Sequence, residues 1–236
     1  MASRKTKSHS IRKKNYHLTE TDLARAVAAP AERKRGIIQQ AVSGTPYDHY
    51  KGIKDWLGTI LNLAVNPLLP ASPASKETVK TIVARACIGS KEVAGNEGIA
   101  DGLYDWVAEH NVTSVGFDFH RVTLGRAGAR QFWQPYLLNL GGKKYIPFFD
   151  FRQEPRCLTA EARRFVFSVN HSHICLGDPT QYGDAGLVIF QFGPLKNKVR
   201  KAIAHFDTGI SFFTDKEINA MVDEVYRLLD DIKKAA

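Results

Sequence analysis

A mixed α/β fold, with a central mixed β-sheet flanked by helices and a helical N-terminal extension, is what this 236-residue sequence predicts. Three observations point there. Residues 113–152, TSVGFDFHRVTL and then PYLLNLGGKKYIPFFDFR, carry the two-residue alternation of strands. GLVIFQF at 186–192 is an unbroken apolar run bounded by glycines, the pattern of a strand covered on both faces. Around them lie segments of helical period, the clearest from Ile218 to Ile232, where Thr214 and Glu217 supply a capping box.

Residues 1–14, MASRKTKSHSIRKK, are basic and nearly free of large apolar side chains, and read as a disordered arm. Residues 15–65 read as a helical region. Thr19 to Asp22 offers side-chain oxygens for a helix start, Pro30 ends that helix and opens the next, and a third fits Tyr47 to Val65. Residues 66–75, with three prolines, read as a linker, which leaves 76–236 as the α/β domain. Ser75 caps a helix that Gly89 should stop, and a further helix runs from Asn96 to Glu109.

In the strand that follows, alternation sets Phe117 and Phe119 on one side and Asp118 and His120 on the other. Gly141-Gly142 marks a hairpin, because a tight two-residue loop demands positive φ. On the returning strand Asp150 and Arg152 share a face. Thr159 caps a helix from Ala160 to about Asn170. After GLVIFQF, the residues from Leu195 to Phe206 fit a helix with Leu195, Val199, Ala202, Ile203 and Phe206 inward and Lys196, Lys198, Arg200 and Lys201 outward. GISFF predicts one more strand before the last helix.

Composition narrows the function classes. Cys87, Cys157 and Cys175 are odd in number and spaced unlike a zinc ribbon or redox pair, which favours a reducing compartment. No apolar run approaches the ~18 residues of a membrane span, so the expectation is a cytoplasmic protein with no membrane partner. The net charge is +9, and residues 1–35 hold ten Lys or Arg against three acids. Arg4, Lys5, Lys7, Arg12, Lys13 and Lys14 therefore form a candidate nucleic-acid-binding arm, to which Lys196, Lys198, Arg200 and Lys201 would add a second basic surface. A solubilising tail and a solvated helix face explain the same charges.

From Asn96 the predicted order is helix, three strands, helix, strand, helix, with Glu97 on the leading helix and Asp150-Phe151-Arg152 on the third strand. Over residues 95–192 this order resembles the core of the PD-(D/E)XK nuclease superfamily. The resemblance implies catalytic roles for Glu97 and Asp150, while Gln134-Pro135-Tyr136 stands where that family opens its second strand on an acid, and Arg152 replaces its lysine. Arginine does not readily give up its proton, so the resemblance implies a degenerate member that grips nucleic acid without cutting it.

Asp118, His120, Asp150 and Arg152 would suit an anionic ligand or metal-assisted hydrolysis if both strands present one face. As structural charges they would instead be paired within the sheet or solvated at its edge. His171, His173 and Cys175 would project together from a strand and could hold a metal, but diverge on a helix. No cofactor is specified, although a divalent metal is compatible with the acidic face. The first expectation is a nucleic-acid-binding protein. The alternatives are a metal-assisted hydrolase or phosphodiesterase and a non-catalytic protein-interaction module, for which Tyr47 and Tyr50 offer aromatic contacts.

Overall fold

The computed structural model describes residues 18–43, 49–64, 73–117 and 121–235. The expected arm at 1–14, most of the expected linker, Tyr47, Asp118 and His120 lie outside the described residues. The helices are α1 (Glu20–Ala28), α2 (Ala31–Ser43), α3 (Lys51–Asp55), α4 (Leu57–Ile60), α5 (Lys76–Arg85), α6 (Ser90–Glu109), α7 (Ala160–Asn170), α8 (Pro179–Tyr182) and α9 (Asp215–Lys234). The strands are β1 (Leu63–Ala64), β2 (Thr113–Gly116), β3 (Val122–Leu124), β4 (Gly128–Arg130), β5 (Tyr136–Leu140), β6 (Lys143–Asp150), β7 (Gly186–Phe192) and β8 (Ala202–Phe206).

Among the described residues the main sheet has six strands in the order β1-β2-β5-β6-β7-β8, with the two-residue β1 at one edge. It is mixed: β1 is parallel to β2 and β6 to β7, and the other neighbours are antiparallel. Helices cover both faces. Ile146, Phe148, Leu187 and Ile189 point into a cluster with residues of α1, α2, α7 and α9, while Phe149, Val188, Phe190 and Phe192 point into a second with residues of α3 to α6. That double covering is why β7 is apolar at almost every position. On the second face Phe149, Phe151, Phe190 and Phe192 form stacked pairs with centroids 5.0–5.7 Å apart.

Several predicted elements form as the local chemistry demands. Thr19, Ser75 and Thr159 each accept the backbone N–H three residues on, and Thr214 and Glu217 close the capping box of α9. Gly141 and Gly142 take φ of 58° and 83° to turn β5 into β6.

Five predicted elements differ. The helix expected over 47–65 breaks at Trp56, between α3 and α4, and ends where Asn62 adopts φ 54° and donates from Nδ2 to Val112 O. Its apolar residues Ile53, Leu57, Ile60 and Leu61 are still all buried, so periodicity alone could not reveal the break. Gly89, expected as a stop, is the N-cap of α6, which begins six residues before Asn96. The strand expected over 113–124 leaves the main sheet after Gly116, and β3 pairs with β4 in a separate two-stranded sheet. GISFF forms no strand; Phe212 stacks on His171 and Phe213 lies under the Arg164 guanidinium.

The largest correction concerns 195–206. Asn197 and Lys198 take φ of 50° and 66°, Lys196 bridges to Val199, and the chain returns as β8 antiparallel to β7. The alternation of Ala202, Ala204 and Phe206, which all pack on the second cluster, is a strand period that overlaps the helical spacing of 199, 202, 203 and 206. With β8 where a helix was expected, and β3–β4 inserted, the nuclease-like order of elements is not reproduced.

Arg200, expected on an outer cationic face, is 1% exposed. Its Nε donates to Gly193 O, Nη1 to Phe151 O, and Nη2 to Phe192 O and Arg152 O, at 2.8–3.2 Å. Glycines on α6 admit this backbone: Arg200 N–H donates to Gly98 O, and a Cβ on Gly102 would lie 1.9 Å from Arg200 O. Replacing Arg200 with Met should therefore cost about 3 to 5 kcal/mol in denaturant unfolding, since it strands buried carbonyls. Lysine should not restore the loss, because a point donor cannot reach four acceptors in a planar fork.

Candidate functional site

The polar residues inside the fold gather where β6 and β7 end. Asp150, 1% exposed, accepts Leu158 N–H at 2.6 Å and Gln191 Nε2–H at 3.0 Å on one oxygen, and Arg152 N–H at 3.3 Å on the other. Gln191 stands beside it because β6 and β7 pair in parallel with Asp150 opposite Gln191. The same amide donates to Leu158 O, and its oxygen accepts from Arg163 Nη1 at 2.9 Å. Arg163 Nη1 also reaches Leu158 O, at 3.1 Å. The network holds the loop from β6 to α7 against the sheet.

Arg152 turns away from this carboxylate. Its Nη1 donates to Asp22 Oδ1 at 2.5 Å and its Nη2 to Thr19 Oγ1 at 3.2 Å, so the N-cap region of α1 is fastened to the end of β6. Arg25 lies 3.5 Å from the same Asp22 oxygen. Burial works to raise the Asp22 pKa, but the hydrogen bonds and charges of Arg152, Thr19 and Arg25 outweigh it and hold the carboxyl below its ordinary value. Burial pushes the guanidinium of Arg152 down, and Asp22 more than restores it. Burial lowers those of Arg25, Arg163 and Arg200.

The other predicted residues are dispersed. Glu97, half-buried on α6, lies toward Cys87, whose thiol is raised by burial, by Glu92 and by Glu97. Lys196, Lys198 and Lys201 are exposed around the 196–199 turn. His171 and His173 lie in a π-turn, His171–Cys175, that prolongs α7, and burial pushes the Cys175 thiol up to about 11. Among the described residues no cluster of His, Cys, Asp or Glu could hold a metal ion. The Tyr50 ring lies against Phe151, tilted by 32° with centroids 5.6 Å apart, and hydrogen-bonds Arg200, so it faces the second core cluster. Gln191, Arg163, Asp22 and Thr19 were not anticipated as partners of this network. A polar residue inside GLVIFQF was the one signal for Gln191, and Thr19 and Asp22 were legible only as capping residues.

Because the folded pKa of Asp22 is depressed, its contribution to stability is fully present above about pH 4, the ordinary aspartate range, and is lost as pH falls through the lower folded value. Arg152→Met should cost about 1 to 3 kcal/mol at neutral pH, since the pair is mostly but not fully buried. It should also flatten the fall in stability below pH 4, as read from urea unfolding at pH 7 and pH 3. An unchanged acid slope would show that the Asp22 pair does not govern this range.

Comparison with known proteins adds what the interior does not. The model of the sliding clamp-binding bacterial toxin SocB family matches residues 21–235. The DNA replication inhibitor toxin SocB of Caulobacter vibrioides (strain NA1000 / CB15N) is 28% identical over 220 residues, which cover 93% of this chain and 91% of that protein. No solved structure matches. The match runs through the whole stretch on which the nuclease resemblance was drawn and overturns it. It also overturns nucleic acid as the expected partner. From α1 to the end of α9 the sequence follows one family pattern, and the chain belongs to the SocB family of sliding clamp-binding bacterial toxins.

Proposed function

We propose that this protein binds a bacterial DNA sliding clamp and inhibits DNA replication by occupying it. The observation that carries the reading is the family match, which includes every helix of the fold from the first turn of α1 to α9. The interior agrees with a role played at the surface. Asp150, Gln191, Arg163 and Arg200 spend their hydrogen bonds on strand ends and on the loop to α7, and Arg152 spends its own on α1. Such side chains shape and stiffen a scaffold. A protein-interaction module was an alternative from the sequence, and it now becomes the main reading. Among the described residues no helix is long and apolar enough to cross a membrane. Action on the replication machinery places the protein in the cytoplasm.

The test is surface plasmon resonance with immobilised, purified sliding clamp. Saturable binding is expected, and it should persist after nuclease treatment of both proteins. Between about 50 and 200 mM salt the affinity should change far less than the ~10³-fold or greater loss of an interface built on 6–10 phosphate contacts. Expression of the chain in growing bacteria should also stop incorporation of labelled thymidine. No saturable clamp binding at any salt concentration would overturn the proposal.

A further inference from the structure

The β3–β4 ribbon turns one face inward and one outward. Val122 and Leu124 join the core cluster that includes residues of α9, and Arg130, 7% exposed, donates from Nη2 to Tyr226 Oη at 2.6 Å. The pairing of Val122 with Arg130 and of Thr123 with Ala129 sets the other face. Thr123 and Ala129 are exposed, and one step along the same register Arg121 falls opposite Gln131. Residues directly opposite one another project to the same side, so Arg121, Thr123, Ala129 and Gln131 share the outer face. There a cleft of about 370 Å³ opens between the ribbon and the first turn of α1, lined by Glu20, Arg121, Ala129, Arg130 and Gln131. Both of its walls are anchored. Arg152 holds Thr19, the residue before Glu20, and the ribbon is tied to α9 by Arg130 on Tyr226 and by Arg126 on Asp230.

Two opposite charges share this cleft without meeting. Among the described residues the side chains of Glu20 and Arg121 form neither a hydrogen bond nor an ion pair, with each other or with a neighbour. Gln131, beside Arg121, donates from Nε2 to Trp133 O at 3.4 Å, and its amide oxygen accepts no bond from a described residue. Ala129 is too short to fill the space above its strand. The volume lies toward the lower end of small-molecule sites, roughly 300 to 1,000 Å³, and so suits a small ligand. A lining of carboxylate, guanidinium and amide offers an apolar ligand little to bury against. A simple anion would meet the charge of Glu20, and a simple cation that of Arg121. A molecule that carries both charges meets neither objection: a guanidinium takes a carboxylate in two parallel hydrogen bonds, a carboxylate takes an ammonium, and the Gln131 oxygen adds an acceptor.

We propose that the cleft between α1 and the β3–β4 ribbon binds a free α-amino acid, with its carboxylate on Arg121 and its ammonium on Glu20. Such a molecule is a zwitterion at neutral pH, as this pair of walls requires. The site is separate from the network at the ends of β6 and β7 and is independent of clamp binding.

The test begins with thermal unfolding of the full-length chain in the presence of each common L-amino acid at about 10 mM, since a ligand of the folded state raises Tm. Isothermal titration calorimetry then follows each one that does. At least one should bind saturably at a single site. Arg121→Gln and Glu20→Gln should each weaken that binding by about tenfold or more while leaving the Tm of the unliganded chain unchanged, because both side chains are partnerless at the surface. The charges of the ligand are tested in the same way. The α-amide of that amino acid lacks the carboxylate and its N-acetyl derivative lacks the ammonium, so each should bind about tenfold more weakly or worse. The proposal is overturned if no amino acid binds, if both variants bind as the wild type does, or if either derivative binds as well as its parent. Immobilised sliding clamp separates this site from clamp binding. Both variants should keep the wild-type affinity for it, and a loss in either would give the cleft to the clamp and overturn the proposal. A wild type that binds an amino acid but no clamp would remove the proposed function and leave this site standing.

Discussion

The fold depends on one buried guanidinium. Where β6 and β7 end, the next carbonyls point toward one another beside α6 and pair with no further strand among the described residues. Arg200 supplies a planar set of donors that reaches Phe151, Arg152, Phe192 and Gly193 at once. A buried carbonyl left without a partner costs about 1 to 3 kcal/mol, so four together would exceed what a marginally stable domain can lose. Placing the cation there is itself costly, and burial lowers its pKa accordingly. Tyr50 and Asp150 offset part of that cost. The glycines of α6 belong to the same arrangement, because the helix must approach to within hydrogen-bonding distance of Arg200 N–H.

A second set of polar contacts carries this order across the sheet. Asp150 and Gln191 stand on neighbouring parallel strands and together fix the backbone of Leu158, which sets where α7 begins. Arg163 on the first turn of α7 returns to Gln191, so strand and helix are cross-braced. Arg152, one residue beyond Phe151, reaches α1 through Asp22 and Thr19. Leu18, Leu23 and Val27 then share one hydrophobic cluster with α7 and α9. The N-terminal helices are thus held to the end of β6 both by an ion pair and by packing.

Much of the secondary structure was legible because it is written locally. Capping residues at Thr19, Ser75, Thr159 and Thr214, the glycine pair at 141–142 and the apolar run of β7 each specify their conformation within a few residues. The failures share a physical cause. From Leu195 to Phe206 the apolar spacing satisfies a helix and a strand alike, and the choice is made by a left-handed Asn197-Lys198 turn and by pairing with a strand far from any helical neighbour. The stretch after Gly116 alternates like a strand of the main sheet, but β3 is claimed by β4, six residues further on, and sequence alternation says nothing of which partner wins. The polar network followed the same rule. Asp150 and Arg152 stood out as charges in a sheet, yet their partners, Gln191 and Asp22, are set by tertiary pairing alone.

That last point explains why function was the least legible property. Chemistry-bearing residues inside a sheet attract attention in a sequence, because burial makes a charge expensive and therefore meaningful. In this fold the expense is met by the fold itself: one arginine satisfies strand ends, one aspartate fixes a loop, another arginine binds a helix cap. A protein that acts by docking on another protein keeps its working residues on the surface, where a side chain has no internal partner and no period to betray it.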